Sequence, residues 1–139
     1  MTKYMIRILF CLIFLQSGCL SAVEVYPYES KVVELEGVLG QEQRFGPPNY
    51  GESPLTDEHL NIYVLNLSSP INVGTEDTFS ELNDSQVLDV SKVQVVFLPV
   101  AKEAVAKLIG KSVVLRGSLS KQISSHDFYP VIFRVLSQE

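Results

Sequence analysis

From residue 31 onward the chain alternates between apolar and polar side chains. In KVVELEGVLGQEQ, Val33, Leu35 and Leu39 fall on one side of an extended backbone, with Glu34 and Glu36 on the other. This is the two-residue period of a half-buried strand. Gly37 sits where the strict alternation lapses. A glycine inside a strand pattern marks a bulge or sharp bend, so a long, bent first strand is predicted. HLNIYVLNLSSPINV carries a second strand, with Tyr63, Leu65 and Leu67 alternating against Ile62 and Val64, closed by Ser68, Ser69 and Pro70. The acidic stretch GTEDTFSELNDSQVLDVS has little periodicity and reads as a long solvated connection. KVQVVFLP is a third strand. SVVLRGSLSKQ, with Val113, Leu115 and Leu119 against Arg116 and Ser118, is a fourth, and FYPVIFRVLSQ a fifth.

Between the third and fourth strands the period changes. In PVAKEAVAKLIGK, Val100, Ala104, Lys107 and Leu108 share one side, flanked by Ala101, Val105 and Ile109. That is helical spacing. Pro99 suits the first turn and Gly110 the position past the end. A helix over 99–109 is predicted, with Val105, Leu108 and Ile109 against the core. Five strands with one helix between the third and fourth is the element order of the oligonucleotide/oligosaccharide-binding barrel, the OB-fold. The fold class expected is therefore mainly β, a five-stranded OB-fold-like barrel. The first strand has to serve both sides of a small barrel, which its internal glycine permits, and Gly117 allows a similar bend in the fourth.

The first 22 residues fall outside this pattern. MTKYMIRILFCLIFLQSGCLSA opens with Lys3 and Arg7, continues with an apolar run over 8–15 and ends in small residues. This is the order of a secretory signal peptide. The run is shorter than the ~20 residues needed to span a bilayer. Cleavage after Ala22 leaves an exported, periplasmic or secreted domain over 23–139. The alternative, cleavage before Cys19, leaves a lipid anchor at the membrane surface; that route usually wants an aliphatic residue where Gln16 stands. Loss of the leader removes Lys3, Arg7 and both cysteines, Cys11 and Cys19. Nine basic residues then face sixteen acidic ones, a net charge of about −7. Such a chain has no disulfide and no cysteine nucleophile. Its scattered Lys and Arg make no basic stripe for phosphates, so nucleic acid is not an expected partner in spite of the fold's name.

FGPPNYGES, a strand ending in SPINV, GKSVVLRGSLSK and YPVIF together resemble an uncharacterised bacterial group, the domain-of-unknown-function family 4431. The resemblance covers most of the chain after the leader. It implies a small secreted β-domain and no known activity. Members of that group often carry a run of histidines before the last strand; here SSHDFYPV holds His126 alone.

Two stretches carry candidate chemistry. RFGPPNYGES, 44–53, joins the first two strands and offers Arg44, Phe45, Asn49 and Tyr50 on a backbone stiffened by two prolines. Those side chains present a cation, two ring faces and an amide to a partner, or else Phe45 and Tyr50 plug the barrel. SSHDFYP, 124–130, would share the rim, bringing His126, Asp127 and Tyr129. His126 and Asp127 make a proton-transfer pair or a simple aspartate turn. No Ser-His-Asp pattern, zinc spacing or calcium loop accompanies them, so neither a metal nor a cofactor is expected. The function expected is a non-catalytic module holding an envelope protein, peptide or glycan at the rim. The alternative is a small hydrolase-like or metal-dependent factor centred on His126 and Asp127.

Overall fold

The computed structural model describes residues 25–29, 31–74, 86–97 and 102–136. The expected leader with Cys19, most of the acidic connection and the start of the expected helix lie outside the described residues.

Among the described residues seven elements follow one another: β1 (Val25–Pro27), β2 (Val33–Phe45), β3 (His59–Gly74), β4 (Val87–Phe97), α1 (Lys102–Ala106), β5 (Ser112–Lys121) and β6 (Val131–Val135). β2 pairs antiparallel with both β3 and β5, β3 with β4, and β5 with β6. The parallel pairing of β4 with β6 closes the ring. The five strands from β2 to β6 thus form a closed barrel with the short helix between its third and fourth strands, as the element order predicted. β1 is an addition. It lies parallel to the end of β3, and the residues after it continue to β5, where Glu29 N–H donates to the Leu119 carbonyl at 2.8 Å.

The bends fall at the two glycines. Gly37 pairs with Leu67 of β3 and with Val113 of β5, and Gly117 pairs with Val33 of β2 and with Val135 of β6. Each sits where a strand passes from one neighbour to the next. A Cβ at Gly37 would overlap the Asn66 carbonyl oxygen, and one at Gly117 the Arg134 carbonyl oxygen. Only glycine allows that approach. The interior is filled by alternating residues of every strand, among them Leu35, Leu39, Leu65, Val93, Leu119 and Phe133.

Three expectations need correction. Ser68, Ser69 and Pro70 do not close β3, which runs on to Gly74. The β3–β4 register shifts between Asn66 and Ile71, which is where a strand tolerates a residue without N–H. The end of the acidic stretch is strand, since β4 begins at Val87. A second shift separates the Ile71–Val90 and Val73–Val87 pairs, and Asp89 there takes φ +52°, its N–H held by Asn72 Oδ1 at 3.0 Å. This bulge breaks the alternation that would have marked the strand. The helix is also shorter than expected. After Ala106 the chain turns tightly, and Gly110, at φ +79°, donates to the Leu39 carbonyl while Leu39 N–H donates to Lys111. Being tied to β2 in this way stops the helix. Val105 is buried in the core and Leu108 packs against it, but Ile109 is only half-buried.

Candidate functional site at the barrel rim

Strand geometry sends successive side chains to opposite faces. Leu65, Val93, Val95 and Phe133 point into the barrel, so Val64, Gln94 and Ile132, which lie side by side in register, face outward. Yet Val64 and Ile132 are 0 % exposed. Their cover is the chain itself. Residues 122–130, joining β5 to β6, fold back over this face and are held by Gln94, whose Nε2 donates to the His126 carbonyl at 2.9 Å and whose Oε1 accepts Phe128 N–H at 2.7 Å. Asp127 shapes the same loop: its carboxylate accepts N–H from Ile123 at 3.0 Å and Ser124 at 2.9 Å. Gln122 Nε2 donates to the Asp127 carbonyl. The outer face of β3 and β4 is the surface on which OB-fold barrels commonly take ligands. In this protein its centre is occupied.

At the edge of the covered face a polar cluster remains accessible. Glu42 and Arg44 lie two residues apart on β2 and so share a face. Arg44 Nη2 donates to Glu42 Oε2 at 2.6 Å and to Tyr129 Oη at 3.3 Å. Tyr129 Oη in turn lies 3.0 Å from Glu42 Oε2, and Lys92 Nζ of β4 3.6 Å from Glu42 Oε1. The Arg44 guanidinium also stands 5.7 Å from the centre of the Tyr129 ring. The set ties β2, β4 and the covering loop together with one carboxylate, two cations and a phenol. Its carboxylate is shared among all three partners.

The loop between β2 and β3, 46–58, behaves differently. Asp57 is 5 % exposed and its carboxylate accepts three backbone N–H groups, from Asn49 at 2.9 Å, Gly51 at 2.7 Å and Ser53 at 3.2 Å. Burial by itself raises the Asp57 carboxyl pKa, but the bonds from Gly51, Asn49 and Ser53, with the Asn49 side chain, together outweigh it and hold the group below the usual aspartate range. A second turn follows, Thr56 and Asp57 N–H both donating to the Ser53 carbonyl. The loop is thus built around its own aspartate. It projects Tyr50, 43 % exposed, and Leu55, 102 % exposed.

Among the residues singled out in the sequence, Arg44 and Tyr129 meet. Asn49 and Tyr50 stand exposed on the projecting loop. Tyr50 is no plug. Phe45 serves the loop's base, its ring 5.0 Å from that of His59 and against Gly51. His126 is exposed, and its backbone N–H goes to Ser124 Oγ, while the Asp127 carboxylate is taken by its own turn. Glu42, Lys92, Asp57, Gln94 and Leu55 went unnoticed in the sequence. The Glu42–Arg44 pair was visible as opposite charges on one strand face, and Asp57 as an aspartate closing a Gly/Pro-rich loop. Nothing local marks Lys92 or Gln94. Among the described residues no group of three or more His, Cys, Asp or Glu is placed to hold a metal ion, and no helix is long and apolar enough to cross a membrane.

Fold and rim together define, among the described residues, a closed, five-stranded OB-fold-like barrel with a self-covered β3–β4 face and a projecting β2–β3 loop. Comparison with protein-family models, with curated proteins and with solved structures returns no match.

Proposed function

We propose that this chain is an exported, non-catalytic binding module whose barrel rim, residues 44–58 with Tyr129, holds a peptide, glycan or protein partner. The observation that carries this reading is the prebuilt loop. Asp57 satisfies three backbone donors from within, so the conformational entropy of ordering the loop is spent in folding and not on meeting a partner. Functional groups concentrate on such loops when a rigid scaffold positions them. The commitment of the Asp127 carboxylate to Ile123 and Ser124 keeps it from orienting His126 and favours binding over a hydrolase-like role. Nucleic acid is not the partner we propose. The covered β3–β4 face and a net charge of about −7 once the leader is lost both disfavour it.

Arg44→Ala and Tyr50→Ala test the reading when melting and partner capture are measured on the same preparations. Both should weaken capture. Tyr50→Ala should leave melting nearly unchanged, whereas Arg44→Ala should lower stability by about 1 kcal/mol at most, because the ion pair it breaks is partly exposed. Capture unchanged in both variants would reduce the loop to architecture.

A further inference from the structure

Resting on the reading of this domain as a binding module, we propose that residues 122–130 are a latched lid over a peptide-binding face. Its ligand is an extended peptide that takes the place of the loop backbone at Gln94. The loop is a unit in itself. Gln122 N–H donates to the Pro130 carbonyl across the stem at 3.2 Å, His126 N–H donates to Ser124 Oγ, and the Asp127 carboxylate takes the N–H groups of Ile123 and Ser124. This unit is tied to the barrel by the Gln94 carboxamide and by Tyr129 Oη in the Glu42–Arg44 cluster. Phe128 and Tyr129 are half-buried and Ile123 stays exposed, so the latches are largely polar. A self-bonded cap held at a few points can lift while the barrel stays folded, and lids are drawn from such units. Lifting it bares Val64 and Ile132, and a ligand that covers the same two side chains restores what is lost.

What the face already holds indicates what it would take. Gln94 Nε2 donates to the carbonyl of His126, and Gln94 Oε1 accepts the N–H of Phe128, two residues on. One residue meets that same pair of backbone groups across a parallel strand. The carboxamide therefore reads peptide backbone, not the side chains of this particular loop. Val64 and Ile132 flank it, and Ile62, two residues from Val64 on the same strand face, extends the aliphatic floor. Such a floor suits the alternate side chains of an extended peptide, whose backbone bonds give affinity and whose side chains give specificity. One group of the face is unmet by the lid. Ser120 stands in register with Ile132, is 4 % exposed, and its Oγ has no hydrogen-bond partner among the described residues. A buried hydroxyl left unpaired is destabilising, so a ligand that supplies its partner gains over the loop. Nucleic-acid bases stack on aromatic rings, and these floor residues supply none.

The test pans random dodecapeptides displayed on phage against the full chain carrying Asp127→Ala, which releases the Ile123 and Ser124 N–H groups and loosens the lid without touching the face. Should that variant fail to fold by circular dichroism, Glu42→Ala, which frees Tyr129 from the barrel side, takes its place. Selected peptides should carry apolar residues at alternate positions. Synthesised and titrated by fluorescence anisotropy, they should bind wild type about tenfold more weakly than the loosened variant, because a closed lid lowers apparent affinity by the fraction of chains that are open. Gln94→Ala loosens the lid as well, yet it should weaken binding about tenfold or more, since the group that reads the backbone is gone. Ser120→Ala should raise the denaturation midpoint and weaken the peptide, opposite changes that a merely structural serine does not produce. Selection of no sequence overturns the proposal, as do peptides that bind Gln94→Ala as tightly as the loosened variant. Peptides that depend on Gln94, with partner capture indifferent to Arg44→Ala and Tyr50→Ala, would uphold the lid and sink the rim reading. Capture that depends on Arg44 and Tyr50, with no peptide selected, would sink the lid and leave the rim reading standing.

Discussion

Two loops of this molecule are organised by the same device and lie differently on the barrel. Residues 46–58 are gathered around Asp57 and residues 122–130 around Asp127, each aspartate buried, each accepting backbone N–H groups of its own loop. The difference lies in what surrounds them. The second loop meets Gln94, which satisfies the His126 carbonyl and the Phe128 N–H, and ends on Tyr129, which reaches Glu42 and Arg44. It is pulled down and covers Val64 and Ile132. Among the described residues the first loop is anchored at its base, where Gly46 N–H and Glu58 N–H bond across the stem and Phe45 meets His59. It stands away from the barrel. An aspartate turn makes a loop rigid; the neighbours decide whether a rigid loop covers or presents.

Breaking the cover should have the largest effect. Val64→Asp places an unpaired charge under the 122–130 loop and should cost about 4 kcal/mol or more, read as a large fall in the denaturation midpoint. Unchanged stability would mean the face beneath is wet. Gln94→Ala is next. It strips partners from the His126 carbonyl and the Phe128 N–H and should cost about 3 kcal/mol, with faster hydrogen exchange at Phe128. Exchange there that stays as slow as in the core would show the loop is held by something other than Gln94.

A smaller effect sharpens the same contrast. The Asp57 carboxyl lies below its ordinary value, so its contribution to loop order is complete above the unfolded value of about 3.9 and is lost as pH falls through the lower folded value. The amide resonances of Asn49, Gly51 and Ser53 should therefore shift together with a midpoint below about 3.9, and Asp57→Asn should abolish that titration. A midpoint at or above that value would mean the three bonds do not form in solution.

The barrel was legible because its signals are local. Leu35 and Leu39 alternate with glutamates, Gly37 and Gly117 stand at the bends, and the helical period falls between the third and fourth strands. What escaped depends on distant partners. β1 has three residues and no period to display. The Asp89 bulge and the shift near Pro70 are stabilised by pairing between β3 and β4, so the strands read as loop. The helix stops because Leu39, more than sixty residues earlier in the chain, bonds the backbone that follows it. At the rim the sequence set a proline-stiffened 44–53 segment beside His126 to Tyr129, and of these Arg44 and Tyr129 meet. It overlooked Asp57, which shapes that segment, and Gln94, which removes the opposite loop from contention, because each acts through a carboxylate or amide whose partners only the fold assembles.

The distinction between a covering and a presenting loop is tested most directly by one double variant, Tyr50→Ala with Leu55→Asp, assayed for denaturation midpoint and partner capture in parallel. The account predicts stability within about 0.5 kcal/mol of wild type, as for other exposed positions, with capture lost. Stability lowered by roughly 3–5 kcal/mol with capture retained would contradict it, since that is the signature of an aromatic removed from a core.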